Sequence, residues 1–128
     1  DWGYARDYVE GMWQILQHDR PDNFVMATGR TETVREFTEL CANAADIDIV
    51  WRNNGIDEEG IDDRSGKVIV KINPKFYRPA EVEFLHGDAN KAKTNIGWTV
   101  ETPFNEMVKR MVEHDINKSC QKKNTSLI

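Results

Sequence analysis

Cysteine is nearly absent: Cys41 and Cys120 are the only two in 128 residues. Cys41 sits on an apolar helical stripe and Cys120 in a polar C-terminal stretch. That pattern excludes a disulfide framework and a zinc spacing, and it favours a reducing, cytoplasmic setting. A basic surplus is missing as well. The net charge is −5, which excludes a generic binder of nucleic acid or anionic membrane, though a local basic pocket is still allowed. No stretch is apolar enough to cross a membrane, and no signal peptide precedes the first element. The three histidines, His18, His86 and His114, are scattered and form no metal cluster. Familiar catalytic signatures are lacking too. There is no G-x-G-x-x-G and no G-K-[ST]. No Tyr-x-x-x-Lys pair begins at Tyr4, Tyr8 or Tyr77, and no serine nucleophile elbow is present. No catalytic residue is assigned on this chain.

What is there suffices for one ordinary domain core, with 39% of residues hydrophobic and 30% charged. Tyr4–Gln17 is an amphipathic helix, with Ala5, Tyr8, Val9, Met12, Trp13 and Leu16 at helical spacing. Asp1 is placed to cap it, and Met12 and Trp13 are expected in the core. Phe24–Thr28 reads as a short buried strand. Gly29 turns the chain, and Thr33-Val34-Arg35-Glu36 fits a capping box that opens a helix carried by Val34, Phe37, Leu40, Cys41 and Ala44. A Gly turn into a helix can receive an anion, but a single glycine is a weak phosphate signal, and an ordinary turn is the better expectation. Ile47–Trp51 and Lys67–Ile72 alternate as strands. The acid-rich stretch between them, Arg52–Gly66, reads as a solvated loop without calcium-loop spacing. Asp88 is expected to cap a helix from Ala89 that Gly97 ends, with Lys91 and Lys93 solvated and Trp98 packing back. Thr102-Pro103 starts the last helix. The stripe fades near Asn117, so residues 1–116 are read as the folded portion and 117–128 as a polar, disordered tail. Alternating helices and strands argue for an α/β class. Three strands make a thin sheet. The chain starts without methionine and turns helical at once. Together these features read as a fragment whose N-terminal part lies elsewhere.

The chain is organised around Phe76–Asp88, FYRPAEVEFLHGD. The guanidinium of Arg78 is planar, always charged and rich in donors, which suits a diphosphate. Pro79 keeps Arg78 out of helical geometry. Glu81 offers two acceptor oxygens to a pair of sugar hydroxyls. One cation for phosphate and one carboxylate for a diol make a nucleotide grip. The same spacing also fits an ordinary surface ion pair.

The blocks DWGYARDYV, ATG followed by TVREF, PKFYRPAEV, and GD with KAK and GW resemble the C-terminal part of the GDP-mannose 4,6-dehydratase family, extended short-chain dehydrogenase/reductases. The likeness runs from Asp1 to about Asp115. It implies a small C-terminal substrate-binding domain that lacks the Rossmann cofactor domain. By the resemblance, NADP and the catalytic Thr, Glu, Tyr and Lys belong to that missing part. Arg78 matches the family's diphosphate-binding arginine and Glu81 its ribose-contacting carboxylate. A further family arginine would fall one position before Asp1. Arg30 stands where the family often has an acid, so a role for an acid there is in doubt. The implied reaction converts GDP-mannose to GDP-4-keto-6-deoxymannose, on the route to GDP-fucose, by internal redox through NADP. The implied full-length enzyme is a homo-oligomer, and this chain alone is expected to be inactive. The alternatives are the C-terminal part of another nucleotide-sugar epimerase or reductase, or a non-catalytic nucleotide-sugar-binding module.

Overall fold

The apolar stripes of the sequence become helices in the computed structural model, which describes residues 1–78 and 84–125. Among the described residues the helices are α1 (Ala5–Leu16), α2 (Val34–Ala44), α3 (Asn90–Ile96) and α4 (Phe104–Thr125). The strands are β1 (Ile49–Arg52), β2 (Glu59–Asp62) and β3 (Val68–Lys71). One-turn 3-10 helices occupy Gly55–Asp57 and Pro74–Phe76. The chain divides into two compact units. The first is Asp1–Thr33 with Glu83–Arg110, and the second is Val34–Val82 with Met111–Ile128.

In the first unit the core is Ala92 of α3, Trp98, and Phe104, Met107 and Val108 of α4. Gly97 ends α3 in the left-handed region, at φ 72°, a conformation that costs glycine little. Trp98, 2% exposed, stands against Tyr8 and Gly11 of α1. A Cβ at Gly11 would come within 2.7 Å of the indole, so the glycine is what lets the ring approach. The buried residues of α1 are Asp7 and Gly11, one helical turn apart. Its apolar stripe faces outward: Met12 is 56% and Trp13 57% exposed. This corrects the expectation that both lie in the core. Periodicity shows which residues share a face; it does not show which face is covered.

Asp7 is the polar centre of this unit. Its Oδ2 accepts the main-chain N–H of Glu101 (3.1 Å) and of Thr102 (2.9 Å), and its Oδ1 accepts the Thr102 hydroxyl (3.1 Å). The Thr102 side chain is thus engaged by Asp7 at the entry to α4. Asp1 does not cap α1 either. Tyr4 is the cap residue and makes no side-chain bond there. Lys91, expected to be solvated, donates to Asp22 (2.7 Å) and to the main-chain oxygen of Asn23 (2.9 Å). Asp88 Oδ1 accepts the N–H of Asn90 at 2.9 Å, but α3 begins one residue later than expected, with Ala89 at the cap position. Phe24–Thr28 forms no strand, and Val25 is exposed. A five-residue apolar run does not pair without a neighbouring strand to accept its bonds.

The second unit is built on an antiparallel sheet of order β1-β2-β3, pairing Trp51 with Gly60 and Gly60 with Val70. The central strand falls inside the stretch read as a loop. Its sequence, EGID, has weak strand propensity, but its central position gives it bonds on both sides, and Ile61 is 6% exposed. A Cβ at Gly60 would lie 3.0–3.2 Å from Val70, Trp51 and Ile49, so the glycine makes room for the flanking side chains. Helix α2 is tied to this sheet through Trp51. The indole N–H donates to Glu39 at 2.7 Å, and the Arg35 guanidinium lies 4.5 Å from the ring centroid. Arg35 also pairs with Glu58. Arg64 fastens the β2–β3 turn to Asp46 with bonds of 2.9 and 3.2 Å. α4 runs on to Thr125, past Asn117, where a polar tail was expected. Lys118, Gln121, Lys122 and Lys123 have good helix propensity, so the helix outlasts its apolar stripe.

Candidate functional site

The local structure before Arg78 follows from Asn73-Pro74. Pro74 sits in the first turn of a 3-10 helix, where its missing N–H costs nothing. The Asn73 side chain accepts the N–H of Lys75 at 3.0 Å, and the main chain closes with Phe76 N–H to Asn73 O at 3.0 Å. Tyr77 then leaves the turn extended, at φ −68° and ψ 126°. The result is a short turn that places Phe76, Tyr77 and Arg78 at exposed positions. Glu81, the second predicted site residue, falls outside the described residues.

The Gly29 turn has a different role from the anion cradle weighed for it. The Asp1 carboxylate accepts the N–H of Thr28 (2.9 Å), the Thr28 hydroxyl (2.6 Å) and the N–H of Gly29 (3.0 Å). A resident carboxylate therefore fills the space an anion would use. The Gly29 carbonyl faces His86 Nε2 at 2.8 Å, and Gly29 takes a positive φ of 72°. Arg30 pairs with Glu32 at 2.5 Å.

Two clefts of the first unit are chemically distinct. One, of about 440 Å³, is polar, with Arg6, Asp7, Glu10, Glu101, Glu106 and Arg110 among its lining residues. Arg110 donates to Glu106 at 2.5 Å and lies 5.4 Å from the Tyr4 ring, and the hydrogen bond to Glu106 raises its pKa. The other, of about 730 Å³, is apolar, with Val9, Met12, Val25 and Leu85 in its wall. The Cys41 thiol, in the second unit, is pushed up by burial, away from the reactive thiolate. Among the described residues no three His, Cys, Asp or Glu side chains come together in a metal-binding group. The Lys75 ammonium, three residues before Arg78, lies 5.7 Å from the Phe76 ring centroid.

The family profile described as GDP-mannose 4,6 dehydratase matches residues 1–111. The chain is 53% identical to the GDP-mannose 4,6 dehydratase of Dictyostelium discoideum over 116 residues, covering 91% of this chain and 33% of that protein. It is 47% identical to the Drosophila melanogaster enzyme of that name, covering 91% of the chain and 29% of that protein. For the Homo sapiens enzyme the identity is 46%, with 91% and 31% covered. The chain thus spans about a third of the length of the curated relatives it matches.

Proposed function

Because this chain belongs to the GDP-mannose 4,6-dehydratase family, we propose that it is the GDP-mannose-binding portion of such an enzyme. In this reading Arg78 holds the diphosphate and Glu81 the ribose hydroxyls. The observation that carries it is the exposed turn at Asn73–Arg78, lying within the stretch that the family profile matches. An arginine held at the exit of a closed turn loses little freedom on binding, and its planar fork matches phosphate oxygens.

The activity proposed for the longer enzyme is the dehydration of GDP-mannose to GDP-4-keto-6-deoxymannose, a lyase reaction dependent on NADP. The described residues do not fit that cofactor. The Gly29 turn is the one place where the sequence offered a phosphate cradle, and the Asp1 carboxylate occupies its N–H groups. No step of the redox chemistry is assigned to this chain. Its contribution is to bind and orient the nucleotide sugar, and the Rossmann part of an extended short-chain dehydrogenase/reductase is proposed to supply the cofactor site. The reading further carries a cytoplasmic homo-oligomer. No helix among the described residues is long and apolar enough to cross a membrane.

Titration calorimetry of the chain with GDP, for wild type and Arg78→Ala, tests the proposal. Weaker binding by the variant supports it; equal binding removes Arg78 from the site. Absence of GDP-mannose turnover by the chain alone is expected.

A further inference from the structure

We infer that Phe76 is a stacking platform for the base of the nucleotide whose diphosphate Arg78 holds. This rests on the grip proposed above and extends it to the other end of the ligand. Three observations converge on it. The first is exposure. Phe76 is 71% exposed, although a phenylalanine is among the side chains that folding most strongly buries. The turn that carries it is closed by Asn73 and Pro74, so the ring is held out by a defined backbone.

The second observation is charge. From Lys67 to Arg78 the chain carries Lys67, Lys71, Lys75 and Arg78 and no acidic residue, within a protein of net charge −5. Lys71 is paired with Glu59 at 2.8 Å. Lys75 and Arg78 bracket the aromatic, and the Lys75 ammonium lies 5.7 Å from its ring centroid. An exposed ring flanked by cations is complementary to a ligand that joins a flat π-system to an anion.

The third is proximity. Phe76 closes the 3-10 turn and Tyr77 leaves it extended, so Phe76 and Arg78 stand two residues apart at its exit, at most roughly 7 Å along the chain. In a nucleoside diphosphate one ribose separates the base from the phosphates. A ligand anchored by its diphosphate at Arg78 brings its base to the level of the Phe76 ring. Stacking on an aromatic is tolerant of base identity, because every base has a π-face. Phe76 thus supplies affinity for the nucleoside end; it does not by itself select guanine.

The test is titration of the 128-residue chain with GDP and, separately, with inorganic pyrophosphate, for wild type, Phe76→Ala, Phe76→Tyr and Arg78→Ala. Phe76→Ala should weaken GDP about 10-fold or more, the usual scale for one lost base stack. It should leave pyrophosphate binding unchanged. Phe76→Tyr, which keeps the π-face, should bind GDP like wild type. The guanine H8 proton resonance should move upfield on binding to wild type and not on binding to Phe76→Ala. Unchanged GDP affinity in Phe76→Ala, with both ligands weakened in Arg78→Ala, overturns the platform and leaves the grip standing. A loss of both ligands in Phe76→Ala marks a scaffold role and also overturns it. If wild type binds neither GDP nor pyrophosphate, the grip itself fails and the platform falls with it.

Discussion

The indole N–H of Trp98 donates to the main-chain oxygen of Asp7 at 2.7 Å, joining residues 91 apart in sequence. The Asp7 carboxylate accepts three more bonds, from Glu101 and Thr102. Asp7 is 8% exposed, and its removal takes the partner from three donors at once. Asp7→Ala should destabilise the fold by about 3 kcal/mol, the scale of several lost bonds to a buried charged acceptor. Urea unfolding followed by tryptophan fluorescence measures it, and a loss under about 1 kcal/mol would show that the entry to α4 holds without Asp7.

Gly11 lies one turn further along the same face. Alanine is the better helix former by about 1 kcal/mol. Here its Cβ would sit 2.5 Å from Met26 Sδ and 2.7 Å from the Trp98 ring. Met26 is flexible and can move; the buried indole cannot move freely. Gly11→Ala should therefore destabilise the protein by a net 1–2 kcal/mol or so, since overpacking exceeds the propensity gain. A thermal melt that rises would disprove this balance.

The Asp46 carboxyl is held below the usual range by its hydrogen bond to Arg64 and by the charge of that guanidinium. Asp62 is lowered first by Ser65, and Asp22 first by Lys91. A folded-state pKa below the unfolded one stabilises the fold at pH above the unfolded value. That contribution disappears as pH falls through the folded value. Stability should thus drop on acidification, below about pH 4. Arg64→Ala should flatten the Asp46 part of that slope. All three carboxylates are at the surface, so salt should weaken the effect. Urea midpoints across the acid range, at low and high salt, give the comparison.

Arg78→Ala should weaken GDP binding by about 1.5–3 kcal/mol, the range for hydrogen bonds to a charged group. Arg78→Lys should recover only part of it, because an ammonium has no planar fork. Full rescue by lysine would mean that charge alone matters at this position.

Legibility in the sequence followed the range of the interactions. α2 begins at Val34, directly after the Thr33 that the capping pattern pointed to, and Gly97 ends α3 as read. These are signals contained in a few neighbouring residues. β2 was hidden because its pairing partners lie in two other segments, and a central Gly60 looks like a turn until Trp51 and Val70 are placed on either side of it. Asp7 was silent for the same reason, since its partners are more than 90 residues away. Met12 and Trp13 were correctly put on one stripe but on the wrong side of the boundary with solvent. Arg78 stood out through its Pro79 neighbour. Lys75 did not, because a lysine beside a phenylalanine gains meaning only once a turn holds both.

Asp1 has a further consequence. It closes a turn 27 positions downstream by receiving two peptide hydrogens and a hydroxyl. The approach to α1 is therefore no spare thread, because a substitution there is felt in the loop around Gly29. Replacing Asp1 by alanine would release the loop around Gly29 and loosen the His86 ring that leans on it.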